Sequence, residues 1–218
     1  MGKKKVSYKN RIVAGITAAA AGTGIALYIG AKLIGVPSYT AIRVFDGDTF
    51  ETKEKQYIRV SGIDAPELGR CGSEEAKKML EKLVLGKKLY IKVYYHQGAR
   101  LNGLVYNDHG VVSTAMLSSG WAVLNDRDNV DLPEFIEATQ KARAEKVGIF
   151  GPKCTQTINT SKPSCNIKGN IRKGKKIYHL SACKSYKTAD IQLYNDDEWF
   201  CTEKEAREAG FTKATQCP

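Results

Sequence analysis

The chain has 218 residues, with 34 Lys and Arg against 23 Asp and Glu and a formal net charge of +11. That length holds one ordinary domain plus a smaller module and excludes two large domains, because a single core usually takes roughly 100 to 200 residues. The basic surplus sets up a field that attracts polyanions, either nucleic acid or an anionic lipid surface.

Residues 12–31 carry no charge and consist mostly of Ala, Ile and Gly. As a helix they would reach about 30 Å, the thickness of a bilayer core. Lys3, Lys4, Lys5, Lys9 and Arg11 stand ahead of this run, and only Lys32 and Arg43 follow it closely. The positive-inside bias therefore predicts a single-pass membrane protein with a cytoplasmic N-terminus and all that follows residue 35 outside. Residues 1–35 read as a basic N-terminus and transmembrane anchor. A cleaved signal peptide, with Ala18 to Ala21 as its small-residue cleavage site and a secreted product, is the competing reading.

After Pro37-Ser38 the pattern changes to short strands separated by Gly- and Asp-containing turns. Strands are predicted over residues 39–45, 56–60, 88–94 and 103–106. In the third, Leu89, Ile91 and Val93 alternate with Lys88, Tyr90, Lys92 and Tyr94. A helix over residues 73–86 has Ser73 as its N-cap, Glu74 and Glu75 at the positive end of its dipole, and Ala76, Met79, Leu80 and Leu83 as its buried stripe. A short helix follows near residues 113–119. A third begins around Pro133, spaces Phe135, Ala138, Thr139 and Ala142 helically, and stops at Gly148. Strands first and helices last predict an α+β barrel over residues 38–151, not a parallel βαβ sheet. Residues 152–164, rich in Thr, Ser, Pro, Lys and Asn, read as a linker. Residues 165–218 hold Cys165, Cys183, Cys201 and Cys217 and a helix near residues 203–209. So small a unit needs cross-links to stay folded.

The stretch richest in chemistry is Phe45-Asp46-Gly47-Asp48-Thr49, followed by Ile58-Arg59-Val60-Ser61-Gly62-Ile63-Asp64-Ala65-Pro66-Glu67. In extended chain Asp46 and Asp48 point to one side of a sheet. Gly62 and Pro66 bracket Asp64 at a sharply turning strand end, which brings Asp64 and Glu67 toward the same spot. Converging hard oxygens suit Ca²⁺ or Mg²⁺. Asp-Gly-Asp-Thr alone is equally well a hairpin turn. Ile-Asp-Ala-Pro-Glu at the end of an arginine-bearing strand is not something turn chemistry asks for.

At these residues the sequence resembles the staphylococcal nuclease, or thermonuclease, family, from about Tyr39 through the closing Gly148-Ile149-Phe150. The resemblance implies an oligonucleotide-binding-type five-stranded β-barrel with three helices that cleaves DNA and/or RNA with Ca²⁺, Mg²⁺ being the second choice. It also implies metal ligation by Asp48, Asp64 and the Ala65 carbonyl, with Asp46 acting through water and Glu67 as general base. The physical logic agrees: an ion polarises the phosphoryl oxygen, a carboxylate takes a proton from water, and Arg59 stabilises charge on phosphorus. One departure stands out. Where the family has Tyr-Gly-Arg before its fourth strand, this chain reads Gly98-Ala99-Arg100-Leu101-Asn102-Gly103-Leu104, with Asn102 in the arginine's place and a shortened loop. Arg100 is the candidate substitute. Losing such an arginine costs on the order of 10³ to 10⁵ in rate, which implies an attenuated nuclease. The alternative is a nucleic-acid-binding barrel without catalysis. Tyr90 and Lys92 are further substrate-binding candidates, since tyrosines interleaved with lysines stack bases and neutralise phosphates, although cross-strand packing explains them equally well.

The tail resembles a module that follows exported thermonuclease domains, on Cys165-Asn166-Ile167-Lys168-Gly169-Asn170-Ile171, Lys176-Ile177-Tyr178-His179 and Glu198-Trp199-Phe200-Cys201-Thr202-Glu203. His179, Cys183 and Cys217 with Cys201 or Cys165 suit a structural Zn²⁺. Disulfides are the alternative, favoured by an extracytoplasmic location, and Cys71 with Cys154 would then staple the barrel to its linker. No protein partner is identifiable from the residues.

Overall fold

A computed structural model of the chain describes residues 38–125 and 133–218. Its first part contains strands β1 (Ser38–Val44), β2 (Thr49–Thr52), β3 (Tyr57–Val60), β4 (Ile63–Asp64), β5 (Lys88–Gln97), β6 (Arg100–Asn107), β7 (Gly110–Val111) and β8 (Val123–Leu124). The strand order β3-β2-β1-β5-β6 closes into a barrel because β3 also pairs in parallel with β6, Arg59 opposite Asn102. Period-2 patterning dictates what fills it. Ile58, Val60, Leu89 and Ile91 are buried inside, while Tyr57 and Arg59, one residue out of phase, face outward.

Helices α1 (Ser73–Val84), α2 (Val112–Ser118) and α3 (Pro133–Ala144) pack on the barrel and bury Ala76, Leu80, Met116, Leu117 and Phe135 against it. Met79 and Leu83 lie at the edge of that core, partly buried. The start of α1 is displaced from the Ser73 cap expected above: Gly72 is the N-cap, in the left-handed region at φ 88°, and Ser73 is the buried first helical residue. A Cβ on Gly72 would meet Ile149 Cγ2 at 2.7 Å. Close packing against the Gly148–Phe150 turn thus decides the boundary, not side-chain capping.

The expected anchor over residues 12–31 lies outside the described residues, and the single-pass location is corrected. Among the described residues no helix is long and apolar enough to cross a membrane. The longest, α1 and α3, have 12 residues each, and at 1.5 Å per residue such a helix is well short of a bilayer core of about 30 Å.

The C-terminal part contains β9 (Thr155–Gln156), β10 (Ile167–Arg172), β11 (Lys175–His179), β12 (Ile191–Gln192), β13 (Glu198–Phe200), helix α4 (Glu203–Glu208) and β14 (Thr212–Lys213). A sheet of order β13-β10-β11-β14 covers a small core of Ile167, Tyr178, Phe200, Ala206 and Phe211. Thr202 starts α4 with a capping box to Glu205. The stretch expected to be a linker is partly ordered into sheet, since β9 pairs with β12.

Disulfides join Cys71 to Cys154, Cys165 to Cys201 and Cys183 to Cys217, and no described cysteine is free. This corrects the zinc reading of His179, Cys183, Cys201 and Cys217. The sulfurs are consumed in pairs, and His179 Nδ1 lies 2.8 Å from Ser185 Oγ. Cys71–Cys154 closes a loop of 83 residues. Replacing both cysteines with Ser is expected to cost about 2–4 kcal/mol of stability, read as a lower denaturation midpoint; unchanged midpoints would show the loop is held without it.

Candidate active site

The turn between β1 and β2 brings the first carboxylates into place. Asp46 Oδ1 accepts a hydrogen bond from the Asp48 amide at 3.0 Å, so its carboxylate braces the turn. Gly47 permits the close approach of two loops: a Cβ there would sit 2.4 Å from Ala65 Cβ and 2.7 Å from Ala76 Cβ. Gly47→Ala is therefore expected to destabilise the fold by about 1–3 kcal/mol and to displace Asp48, measured as a lower melting temperature together with reduced activity. A variant of unchanged stability would contradict the contact.

Asp48 is only 4% exposed. Its Oδ1 accepts from Thr49 Oγ1 at 2.8 Å and from Arg59 Nη1, and its Oδ2 accepts from the Ala65 amide at 3.1 Å. Burial pushes the Asp48 carboxyl up to about 6; Arg59 opposes the rise and Asp46 adds to it. Asp64, at the end of β4, accepts through Oδ1 from Arg59 Nη2 and from Asn125 Nδ2, the latter at 2.9 Å. One guanidinium thus bridges two carboxylates that stand 16 positions apart in sequence. Asn125 also donates its amide to the Gly62 carbonyl at 3.0 Å, which holds the turn leading into Asp64.

A cleft of about 550 Å³ opens beside this ion cluster, lined among others by Arg59, Asp64, Glu67, Arg100, Asn102 and Asn125. Glu67 is exposed on the loop that follows Pro66. Arg100 stands at the end of the β5–β6 hairpin, whose two-residue link is Gly98-Ala99, and donates to Gln97 Oε1 at 2.7 Å. Asn102 is 1% exposed, and neither its Oδ1 nor its Nδ2 has a hydrogen-bond partner. Tyr194, Asn195 and Asp196 from the C-terminal part also line the cleft. An Arg70–Asp196 ion pair and a hydrogen bond from the Leu193 amide to the Cys154 carbonyl hold them there.

Of the residues singled out in the sequence, Asp48, Arg59 and Asp64 meet directly, and Glu67, Ala65 and Arg100 line the same cleft. Tyr90 and Lys92 do not line it; Lys92 Nζ lies 5.4 Å from the Tyr94 ring centroid. Asn125 and the Tyr194–Asp196 wall gave no sequence signal.

Two hard carboxylate oxygens converge on one cationic group, which stands in for positive charge at that point. Among the described residues no cluster of three or more His, Cys, Asp or Glu side chains surrounds a common point. Such a pair fits an ion whose remaining positions come from main chain, water and substrate phosphate.

A closed five-stranded barrel with an acid-and-arginine cleft at one end of β3 and β6 defines an oligonucleotide-binding-type barrel protein with a candidate phosphodiester site. Comparison with known proteins agrees: residues 57–151 match the model of the staphylococcal nuclease homologue family. The match takes in Arg59, Asp64 and Glu67; Asp46 and Asp48 precede it. An "uncharacterized endonuclease" of Escherichia coli is 31% identical over 114 residues, covering 50% of this chain and 74% of the relative. The "probable staphylococcal-like nuclease CAN2" of Oryza sativa subsp. japonica is 33% identical over 113 residues, 51% of this chain and 30% of that protein. The "probable endonuclease LCL3" of Komagataella phaffii is 32% identical over 113 residues, 44% of this chain and 49% of that protein. The chain belongs to the staphylococcal nuclease homologue family. It spans about a third of the length of the plant relatives it matches, 32% and 30% for the first two.

Proposed function

We propose that this protein is a metal-dependent nuclease that hydrolyses phosphodiester bonds of DNA and/or RNA in the cleft beside Arg59, with Ca²⁺ as its ion and residues 38–151 as its catalytic unit. The observation that carries the reading is the convergence of Asp48 and Asp64 on one cationic group at the edge of a cleft that also holds Glu67. An ion held by the two aspartates would supply charge neutralisation at the phosphoryl oxygens. Arg59, released from the carboxylates, binds the phosphate through its two-pronged guanidinium, and Arg100 adds a second positive charge from the hairpin. Glu67 orients a water molecule and takes its proton as the water attacks phosphorus. The P–O bond to the leaving oxygen breaks as the new one forms, and the leaving oxygen takes a proton from solvent.

Asn102 is neutral where the family carries an arginine, so charge stabilisation is weaker and turnover is reduced. The same residue supports a second reading, a barrel that binds nucleic acid without cleaving it. Turnover separates the two. The wild-type chain is expected to degrade a labelled oligonucleotide in Ca²⁺ and to stop when a chelator is added. Salt-sensitive binding with no cleavage in any divalent ion would establish the second reading instead.

A further inference from the structure

The outward face of β3 and β6 continues past the cleft. Arg59 pairs in register with Asn102, and two residues earlier Tyr57 pairs with Arg100. Two residues along a strand advance about 6.6 Å, close to two stacked base steps of about 3.4 Å each. Beside Tyr57 and Arg100 lies a second, more open concavity of about 360 Å³, lined by Phe45, Thr49, Tyr57, Gln97, Ala99 and Arg100. Gln97 and Arg100 line both spaces, so the two are neighbours.

The floor of this second space is aromatic. The rings of Phe45 and Tyr57 are stacked, with centroids 5.5 Å apart and planes 29° from parallel. Tyr57 is 41% exposed, so part of its ring is open to solvent. Arg43 Cζ, on β1, lies 4.7 Å from the Phe45 centroid, and Arg100 lines the same concavity from β6. A flat ring surface in a concavity that also holds an arginine complements a strand of nucleic acid, with bases on the rings and phosphates on the arginine.

We infer that Tyr57, backed by Phe45, is a base-stacking subsite: it takes a nucleobase of the strand whose phosphate occupies the cleft, and Arg100 contacts the phosphate between the two positions. The inference rests on the proposed nucleic-acid substrate. Because every base has a π-face, the subsite is tolerant of sequence and contributes affinity in place of readout.

The test is fluorescence anisotropy of a labelled oligonucleotide on the full chain in chelator, where cleavage does not interfere. Tyr57→Ala and Tyr57→Leu are each expected to weaken binding roughly 5- to 100-fold, while Tyr57→Phe binds as wild type. The Leu variant keeps apolar cover and guards against a folding defect in the Ala variant. Stacking does not release counterions, so the salt slope stays constant in the Tyr57 variants and falls by about one in Arg100→Ala. An oligonucleotide with abasic sites is expected to bind wild type and Tyr57→Ala equally. Wild-type affinity in both the Ala and Leu variants overturns the inference, as does a loss of affinity that the abasic strand shares. A Tyr57 variant that changes only the oligomeric state would assign the rings to a second copy of the chain and overturn it too. The outcomes are separable from those for hydrolysis: binding that depends on Tyr57 without turnover removes the nuclease reading alone, and turnover with unchanged Tyr57 variants removes the subsite alone.

Discussion

Arg59→Ala is expected to lower turnover by about 10³-fold or more while tightening Ca²⁺ binding. The two effects have opposite signs because the same guanidinium serves two partners. It now bridges Asp48 and Asp64, the pair that would hold the ion. Removing it takes away the cation that now sits between the two carboxylates and would compete with a metal ion there, so calorimetric titration of Ca²⁺ without substrate should show higher affinity in the variant. The same removal takes away the charge proposed to stabilise the phosphoryl group, and arginines in that role account for roughly 10³ to 10⁵ in rate. Arg59→Lys should fall between, since an ammonium keeps the charge but cannot bridge two carboxylates with a planar fork. Equal or weaker Ca²⁺ binding in Arg59→Ala would mean that Arg59 does not compete with an ion at this position.

The features that the sequence carried best are those with local physical causes. Alternation in residues 88–94 put Leu89 and Ile91 inside the barrel, where they are buried. The spacing of Phe135, Ala138, Thr139 and Ala142 marked the buried side of α3. Two acidic clusters around an arginine-bearing strand, together with the family resemblance, singled out Asp48, Asp64 and Arg59, which meet in space. What was missed depends on contacts between distant parts of the chain. Asn125 reaches Asp64 across 61 positions, and nothing in its own surroundings distinguishes it from any loop asparagine. The Tyr194–Asp196 wall follows from the Cys71–Cys154 link and the β9–β12 pair, neither of which has a periodic signature. Cysteine spacing alone left zinc and disulfides open for His179, Cys183 and Cys217, and only pairing geometry decided between them. The start of α1 at Gly72 was likewise set by packing against Ile149.

In the proposed mechanism Glu67 takes the proton of the attacking water, and its replacement by Gln bears most directly on the account as a whole. Gln has nearly the same size and shape and still orients water, but it takes up no proton, so the substitution isolates the proton transfer from positioning. General-base catalysis contributes typically 10² to 10⁴ in rate. Glu67 is exposed on its loop, so the change should leave stability within about 0.5 kcal/mol of wild type. The decisive measurement is the single-turnover cleavage rate of a labelled oligonucleotide in saturating Ca²⁺ for wild type and Glu67→Gln. A rate reduced by at least about 10², with oligonucleotide affinity unchanged, is the result this account predicts. Equal rates in the two proteins would contradict it, because hydrolysis would then not depend on the carboxylate that the cleft presents to its substrate.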